Sequence, residues 1–372
     1  MSRVAILCYI LEPGGVGNDA FGMADLLSSR GHEVQLFAEV WSRTPHPVRR
    51  FEELAAFLEG DPSACLIYHF IIGWEPGLRI LQAARCRRVV RYHNVTPPEF
   101  FEEFNPAFAK LCRLGREQIG PVVRAGAELY LSDSDYNAQD LLQAGLDASR
   151  SQVVPPLHRI DRLEAAVPDA EVLRRFGGPG VTNVLAVGRV VPNKRHQLSI
   201  EALAECRAGG NSSARLLIVG ARDQVAYDEQ LARLIDRLGL RDAVHFAGPV
   251  SEAALRAYYQ VATVLLSASE HEGFCLPLIE AMALGAPIVA VGSSAVPGTV
   301  GKAGLVWEER DPELLAGSIE AIAADPRLRD GLRTEGRRRY LERFTNQVIG
   351  GQLLAALGPV LGGACAGRGE SS

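Results

Sequence analysis

No apolar run in this sequence has the length needed to cross a bilayer. The stretch nearest the start, Val4 to Leu11, is short and is interrupted by Cys8 and Tyr9, so neither a spanning helix nor a secretory signal is expected. Cysteine is sparse. The seven are scattered, odd in number and without a C-x-x-C pair, which excludes a disulfide framework and suits reduced thiols in a cytoplasmic protein. Positive charge is not in excess: the net charge of −5 argues against wholesale nucleic-acid binding. There is no internal repeat of short period. What remains is an ordinary globular composition, 47% hydrophobic and 22% charged, in 372 residues, enough for two domains of moderate size.

Strand and helix patterns alternate along the whole chain. Val4 to Ile10 reads as a strand, followed by Glu12-Pro13-Gly14-Gly15-Val16-Gly17 and a helix from about Asn18 to Ser29. Glycines at such a turn let a phosphate approach backbone amides at a helix end. The pattern falls short of a full G-x-G-x-x-G, which disfavours a dinucleotide and with it a nicotinamide oxidoreductase. Further strands are expected at Glu33 to Ala38, Cys65 to Phe70, Arg88 to Tyr92 and Leu129 to Ser132, separated by helices. A linker rich in glycine and proline, from Leu157 to Gly180, precedes a second series with strands at Asn183 to Val187, Ala214 to Gly220, Val244 to Gly248, Val261 to Leu266, Pro287 to Val291 and Leu305 to Trp307. The alternation predicts an α/β protein of two doubly wound, Rossmann-like domains, at residues 1–165 and 166–345. A helix at 346–358 and a tail at 359–372, rich in small residues and expected to be disordered, complete the chain.

The most informative stretch runs from Ser267 to Ala290, SASEHEGFCLPLIEAMALGAPIVA. It reads as strand end, polar loop, helix and next strand, with Gly273 supplying backbone freedom in the loop, Pro277 in the helix's first turn and Gly285 at its end. Glu272 and Glu280 flank the loop, and a carboxylate can accept hydrogen bonds from adjacent hydroxyls, so the pair can grip two polyol groups. Between them the amides of Phe274, Cys275 and Leu276 lead into a helix N-terminus, which favours an anion. Two diol grips around an anion hole suit a sugar nucleotide. Gly188-Arg189 and Lys194 bracket another strand-to-helix loop, where two cations can hold a diphosphate. His93 and Asn94 fall at the carboxyl end of a strand, in position to face a ligand. From Asn94 to Phe104 the chain has consecutive prolines and three phenylalanines, either an acceptor-facing lid or a hydrophobic anchor.

These elements resemble the retaining family 4 (group 1) glycosyltransferases of the GT-B fold, through the E-x7-E motif with its EGF-LP--EAMA-G-P-VA context and a G-R-x4-K loop. The resemblance is strongest from Val184 to Val306. It implies two domains facing each other across a cleft, with the last helix crossing back to the N-terminal domain. It further implies transfer of a sugar, with retained configuration, from a nucleotide diphosphate sugar to an acceptor hydroxyl on a saccharide, a lipid-linked or a small molecule. Donor contacts would come from Gly14, Gly15, Gly188, Arg189, Lys194, Gly248, Val250, Glu272, Gly273, Phe274, Cys275, Leu276 and Glu280. His93, Arg189, Lys194 and Glu272 would act on the reacting centre, with Asn94 and Thr96 on the acceptor side. Where the family often has Glu after the proline of a later loop, Gly298 stands here. No D-x-D pair occupies the proposed site, so neither a metal nor a cofactor is expected. A GT-B epimerase or hydrolase and a non-catalytic sugar-nucleotide binder are the alternatives. Between Arg79 and Arg124 nine basic residues face four acidic ones, an asymmetry that can steer an anionic acceptor or touch the inner membrane face peripherally; scattered solvated arginines are the competing account.

Overall fold

The computed structural model describes residues 2–362. The chain divides into two compact units. In the first, β1 (Arg3–Leu11), β2 (Glu33–Trp41), β3 (Val48–Arg50), β4 (Cys65–Phe70), β5 (Arg87–Tyr92), β6 (Leu129–Ser132) and β7 (Ser151–Val153) form one sheet in the order 3-2-1-4-5-6-7. All its pairings are parallel. In the second, β8 (Asn183–Val187), β9 (Arg215–Val219), β10 (Val244–Gly248), β11 (Val264–Ser267), β12 (Ile288–Val291) and β13 (Gly304–Trp307) are ordered 10-9-8-11-12-13, again parallel. Strands covered on both faces read as continuous apolar runs, and β4, β11 and β12 are buried at every residue. Each sheet reverses its winding once, between β1 and β4 and between β8 and β11. The loops leaving the carboxyl ends of those strands open a crevice at the switch point, where doubly wound sheets take their ligands.

Unit boundaries differ from the expected ones for reasons of packing. The second unit begins at Arg159, not at 166. Helix Ile160–Ala165, which sequence punctuation assigns to the linker, buries Ile160 and Leu163 in the second unit's core. Residues Glu99–Pro106 also belong to the second unit, although the chain on either side of them belongs to the first. Phe104 explains this, because it packs on the second core with its ring edge-on to Tyr227, 5.3 Å between centroids. The phenylalanine-rich stretch is therefore a hydrophobic anchor at this point. The final helix, Asn346–Gly362, belongs to the first unit and inserts Ile349, Leu353, Ala356 and Leu357 into its core. It runs through Pro359 instead of ending at 358, since Val360 and Leu361 still pack against that core and offset the lost amide. The rest of the expected tail, 363–372, lies outside the described residues. Short elements such as β3 and helix Val296–Val300 escape the sequence pattern. Each is too brief to carry a period.

Because the last helix completes the first unit's core, Leu357→Ala should cost that unit about 2–5 kcal/mol, as for other fully buried leucines. Chemical denaturation followed by a probe in the first unit measures this. A loss below about 0.5 kcal/mol would show that the helix is only laid on the surface.

Candidate functional site

The second unit's site is built where β8 and β11 end. Gly188 follows β8 with φ of 135°, a conformation few other residues adopt, and the chain then turns through Arg189 to Lys194. Gly220 beside it leaves no room for a side chain, since a Cβ there would strike the Gly188 carbonyl. From this loop Lys194 reaches across to the loop after β11, and its Nζ donates to Glu272 Oε1 at 2.5 Å. The pair is largely shielded, with 17% and 10% of the two side chains exposed. Burial pulls the lysine pKa down, but the Glu272 charge and hydrogen bond more than reverse this, so the ammonium holds its proton above the ordinary range.

The Glu272 loop is held from several sides. Its own N–H donates to Ser294 Oγ (2.7 Å), Asn193 Nδ2 donates to the His271 carbonyl (3.1 Å), and Thr299 Oγ1 donates to the Phe274 carbonyl (2.9 Å). Ser293 Oγ donates to the Ser269 carbonyl at 2.5 Å. These supporting groups were not singled out in the sequence. The serine pair after β12 is the one available signal, because it lies at a strand's carboxyl end. Helix Leu276–Leu284 starts from Cys275, with Pro277 in the first turn and Gly285 closing it at φ of 75°. Cys275, two residues after Gly273, is itself held in the left-handed region, with φ of 70°. Its thiol is buried 3.8 Å from Ser267 Oγ, and desolvation together with the Glu272 charge pushes its pKa up to about 12, so it stays protonated. One turn into the helix, Glu280 accepts from Tyr259 OH at 2.7 Å. Burial raises its pKa, against the pull of Tyr259 and Lys194.

Other expected donor residues have a looser relation to this centre. Arg189 stands half in solvent, paired with Asp223 at 2.8 Å, free to swing toward an anion at small cost. Gly248 ends β10 with φ of 69°, its carbonyl receiving the Gly220 N–H at 3.0 Å, and Val250 packs on the core. Gly298 lies inside the short helix Val296–Val300, where Arg339 Nη2 donates to its carbonyl at 2.6 Å.

In the first unit, Gly14 caps a helix that begins at Gly15, three residues before the expected start. Gly17 is the position that must lack a side chain, because a Cβ there would collide with the Glu12 carbonyl. His93 is not open to a ligand as the sequence suggested. Its side chain is only 4% exposed, its Nδ1 lies 2.9 Å from Asp133 Oδ2, and its Nε2 lies 2.9 Å from His69 Nδ1. Asn94 is buried too, in a left-handed turn with φ of 75°, and its amide donates to Asp140 at 3.3 Å. Thr96 is half-buried. Asp19, His69 and His93 bring three potential ligand atoms within 4.8 Å of one another. Asp19, however, already accepts from Arg91 (2.8 Å) and from the Leu157 N–H (2.7 Å), and a guanidinium adjoins the group, so the donor set fits a hydrogen-bond network better than a cation.

The basic stretch loses much of its free charge in the fold. Arg91 is buried against Asp19, and Arg88 donates to the Ala125 and Gly126 carbonyls. Arg87 donates to the Leu361 carbonyl and Arg116 to Asp140. Four of the nine basic side chains are thus engaged inside the first unit, which leaves less positive charge to steer an anionic acceptor or meet a membrane surface. No helix among the described residues is long and apolar enough to cross a membrane.

Residues 179–339 match the family model for glycosyl transferases group 1. The D-inositol 3-phosphate glycosyltransferase of Acidothermus cellulolyticus is 35% identical over 230 residues, 58% of this chain and 50% of that protein. The protein of that name from Geodermatophilus obscurus is 31% identical over 250 residues, 65% of this chain and 54% of its own. The chain thus matches about half the length of these curated relatives. In fold, Anabaena HepE, solved with UDP-glucose, superposes with a TM-score of 0.78 at 18% identity, covering 96% of this chain and 99% of its own. Residues 179–339 thus resemble the glycosyl transferases group 1, and the chain has the fold of HepE, with two Rossmann-like units.

Proposed function

We propose that the protein is a retaining glycosyltransferase that moves a sugar from a UDP- or GDP-sugar to an acceptor hydroxyl in glycan or glycoconjugate synthesis, without a metal. The observation that carries this reading is the Lys194–Glu272 pair at the switch point of the second sheet, with Arg189 in the same loop as Lys194 and a helix N-terminus beside it. The family match and the UDP-glucose bound to HepE support a nucleotide sugar as donor. Lys194 offers one N–H to Glu272 and has two more for a diphosphate. Arg189, released from Asp223, adds a second cation, and the amides at the start of helix Leu276–Leu284 a third contact. All three strengthen as negative charge builds on the departing phosphate. The glycosidic C–O bond breaks toward that phosphate while the acceptor oxygen bonds the anomeric carbon from the same face. The acceptor's proton passes to a phosphate oxygen, so no protein base is required. Glu272 accepts from hydroxyls of the transferred sugar, and Glu280, held by Tyr259, accepts from the ribose.

Assays against a panel of nucleotide sugars and hydroxyl acceptors should find turnover that survives EDTA and gives a product of retained anomeric configuration. Arg189→Ala should lower kcat about a hundred- to thousandfold, roughly 2–4 kcal/mol, without loss of stability, since the side chain is exposed. Lys194→Ala should lower it as much and also destabilise the fold by about 3–5 kcal/mol, because Glu272 is left buried and unpaired. Activity abolished by chelation and restored by magnesium or manganese, or unchanged kcat in folded Arg189→Ala, would contradict the phosphate assignment.

The two glutamates should separate in binding. Glu280→Ala should weaken the nucleoside diphosphate about ten- to a hundredfold, while Glu272→Ala spares it and depresses turnover. Burial raises the Glu280 pKa, so this carboxylate protonates at a higher pH than an ordinary glutamate and then loses acceptor capacity. Wild-type affinity should accordingly begin to fall, on acidification, above the usual carboxylate range, and Glu280→Gln should lack that limb. Calorimetry across pH decides this. The reverse pattern, with Glu272→Ala defective and Glu280→Ala normal, would exchange their roles.

A further inference from the structure

The network around His93 joins segments far apart in sequence. Asp19 lies on helix Gly15–Ser29, after the glycine turn, while His69 is the penultimate residue of β4, Arg91 the penultimate residue of β5, His93 follows β5 and Asp133 follows β6. Arg91 Nε donates to Asp19 Oδ2 at 2.8 Å, its Nη2 meets Asp133 Oδ1 at 2.9 Å, and its Nη1 donates to the Val154 carbonyl at 2.7 Å. Asp19 Oδ1 also receives the Leu157 N–H. Asp19, His69 and Arg91 are each 1% exposed.

Hydrogen-bond roles follow from the chemistry of the groups. A carboxylate only accepts, so the Nδ1 of His93 that faces Asp133 carries hydrogen. Its other nitrogen shares one hydrogen with His69 Nδ1. Both nitrogens of His93 are therefore committed to the protein, and no sugar hydroxyl can bind either one while the network is closed. His69 Nε2 has no protein partner, so His69 closes the chain.

We propose that His93 is a positioning residue of the transfer reaction, and that it forms with Asp19, His69, Arg91 and Asp133 a buried clamp fastening the glycine turn at Gly14–Gly15 to the left-handed turn at Asn94. The proposal rests on the transferase reading for its consequence and on hydrogen-bond geometry alone for its existence. Charge is disposed to hold the clamp shut. Asp133 lies at one nitrogen of the His93 ring and Asp19 3.7 Å from the other, while Arg91 bridges the two carboxylates. Burial and the charge of His93 keep the His69 pKa well below its ordinary value, so His69 serves as a neutral link.

Histidine 15N NMR on the full chain tests the clamp without any substrate. One histidine should show a strongly hydrogen-bonded Nδ1 proton, lost in His93→Gln and shifted in Asp133→Asn. With donor and acceptor present, Asp133→Asn and His69→Gln should each lower kcat tenfold or more with donor KM within about threefold. The double variant should be no slower than the worse single, because one device is broken once. If Asp133→Asn does not fold, His69→Gln alone carries both readouts. The absence of the Nδ1 signal overturns the clamp. So does a donor KM that rises tenfold in His93→Gln while Asp133→Asn stays normal, which would mark a direct sugar contact. If no nucleotide sugar supports turnover, the transferase reading fails by itself and the NMR result still decides the clamp.

Discussion

A lysine and a glutamate brought together from two loops 78 residues apart hold the second unit's site in shape. Neither loop explains its own geometry. The β8 loop needs Gly188 and Gly220 so that its backbone can pass close to its neighbour, and the β11 loop needs Ser294, Asn193 and Thr299 to fix its path. What these constraints achieve is one shielded ion pair. Burying such a pair stabilises little by itself, because desolvation offsets most of the attraction. Its effect is to pre-place a cation with spare donors beside an anion with spare acceptors. A diphosphate sugar carries the complementary groups in that order, phosphate next to polyol, and a ligand of this kind repays the desolvation already incurred.

The first unit follows the same principle with different chemistry. Its sheet carries a line of buried polar groups along the carboxyl edge, joined by hydrogen bonds and ion pairs from Asp19 through Arg91, Asp133 and His93 to His69, which offsets part of the cost of burying them. Four of the basic residues that give the segment its charge are spent on this internal work and on carbonyls such as those of Ala125 and Gly126. Charge counted along a sequence cannot distinguish a solvated arginine from one that closes a helix end.

Most strands were legible because apolar runs of four to six residues bounded by glycine or proline have few other solutions, and Cys65–Phe70 and Asn183–Val187 were read to the residue. The loops that carry Arg189, Lys194 and Glu272 were legible as strand-to-helix connections for the same local reason. Other features depend on partners distant in sequence and leave no local mark. His93 looked ligand-facing because its strand end points that way, and only the fold reveals Asp133 and His69 on its two nitrogens. The stretch from Asn94 to Phe104 reads equally well as a lid or as an anchor, and only the fold shows Phe104 packed on Tyr227. The left-handed backbone of Cys275 is likewise invisible in a sequence whose loop already holds a glycine two residues earlier.

The most direct measurement is calorimetric titration of the unmodified protein with UDP and with GDP, in chelator, at neutral pH. One of the two should bind at one molecule per chain with a Kd below about 1 mM, some 4 kcal/mol or more, and the corresponding nucleoside without phosphates should bind far more weakly. Failure of both diphosphates to bind, or binding of the bare nucleoside as tight as its diphosphate, would contradict a phosphate site built on Lys194 and Arg189.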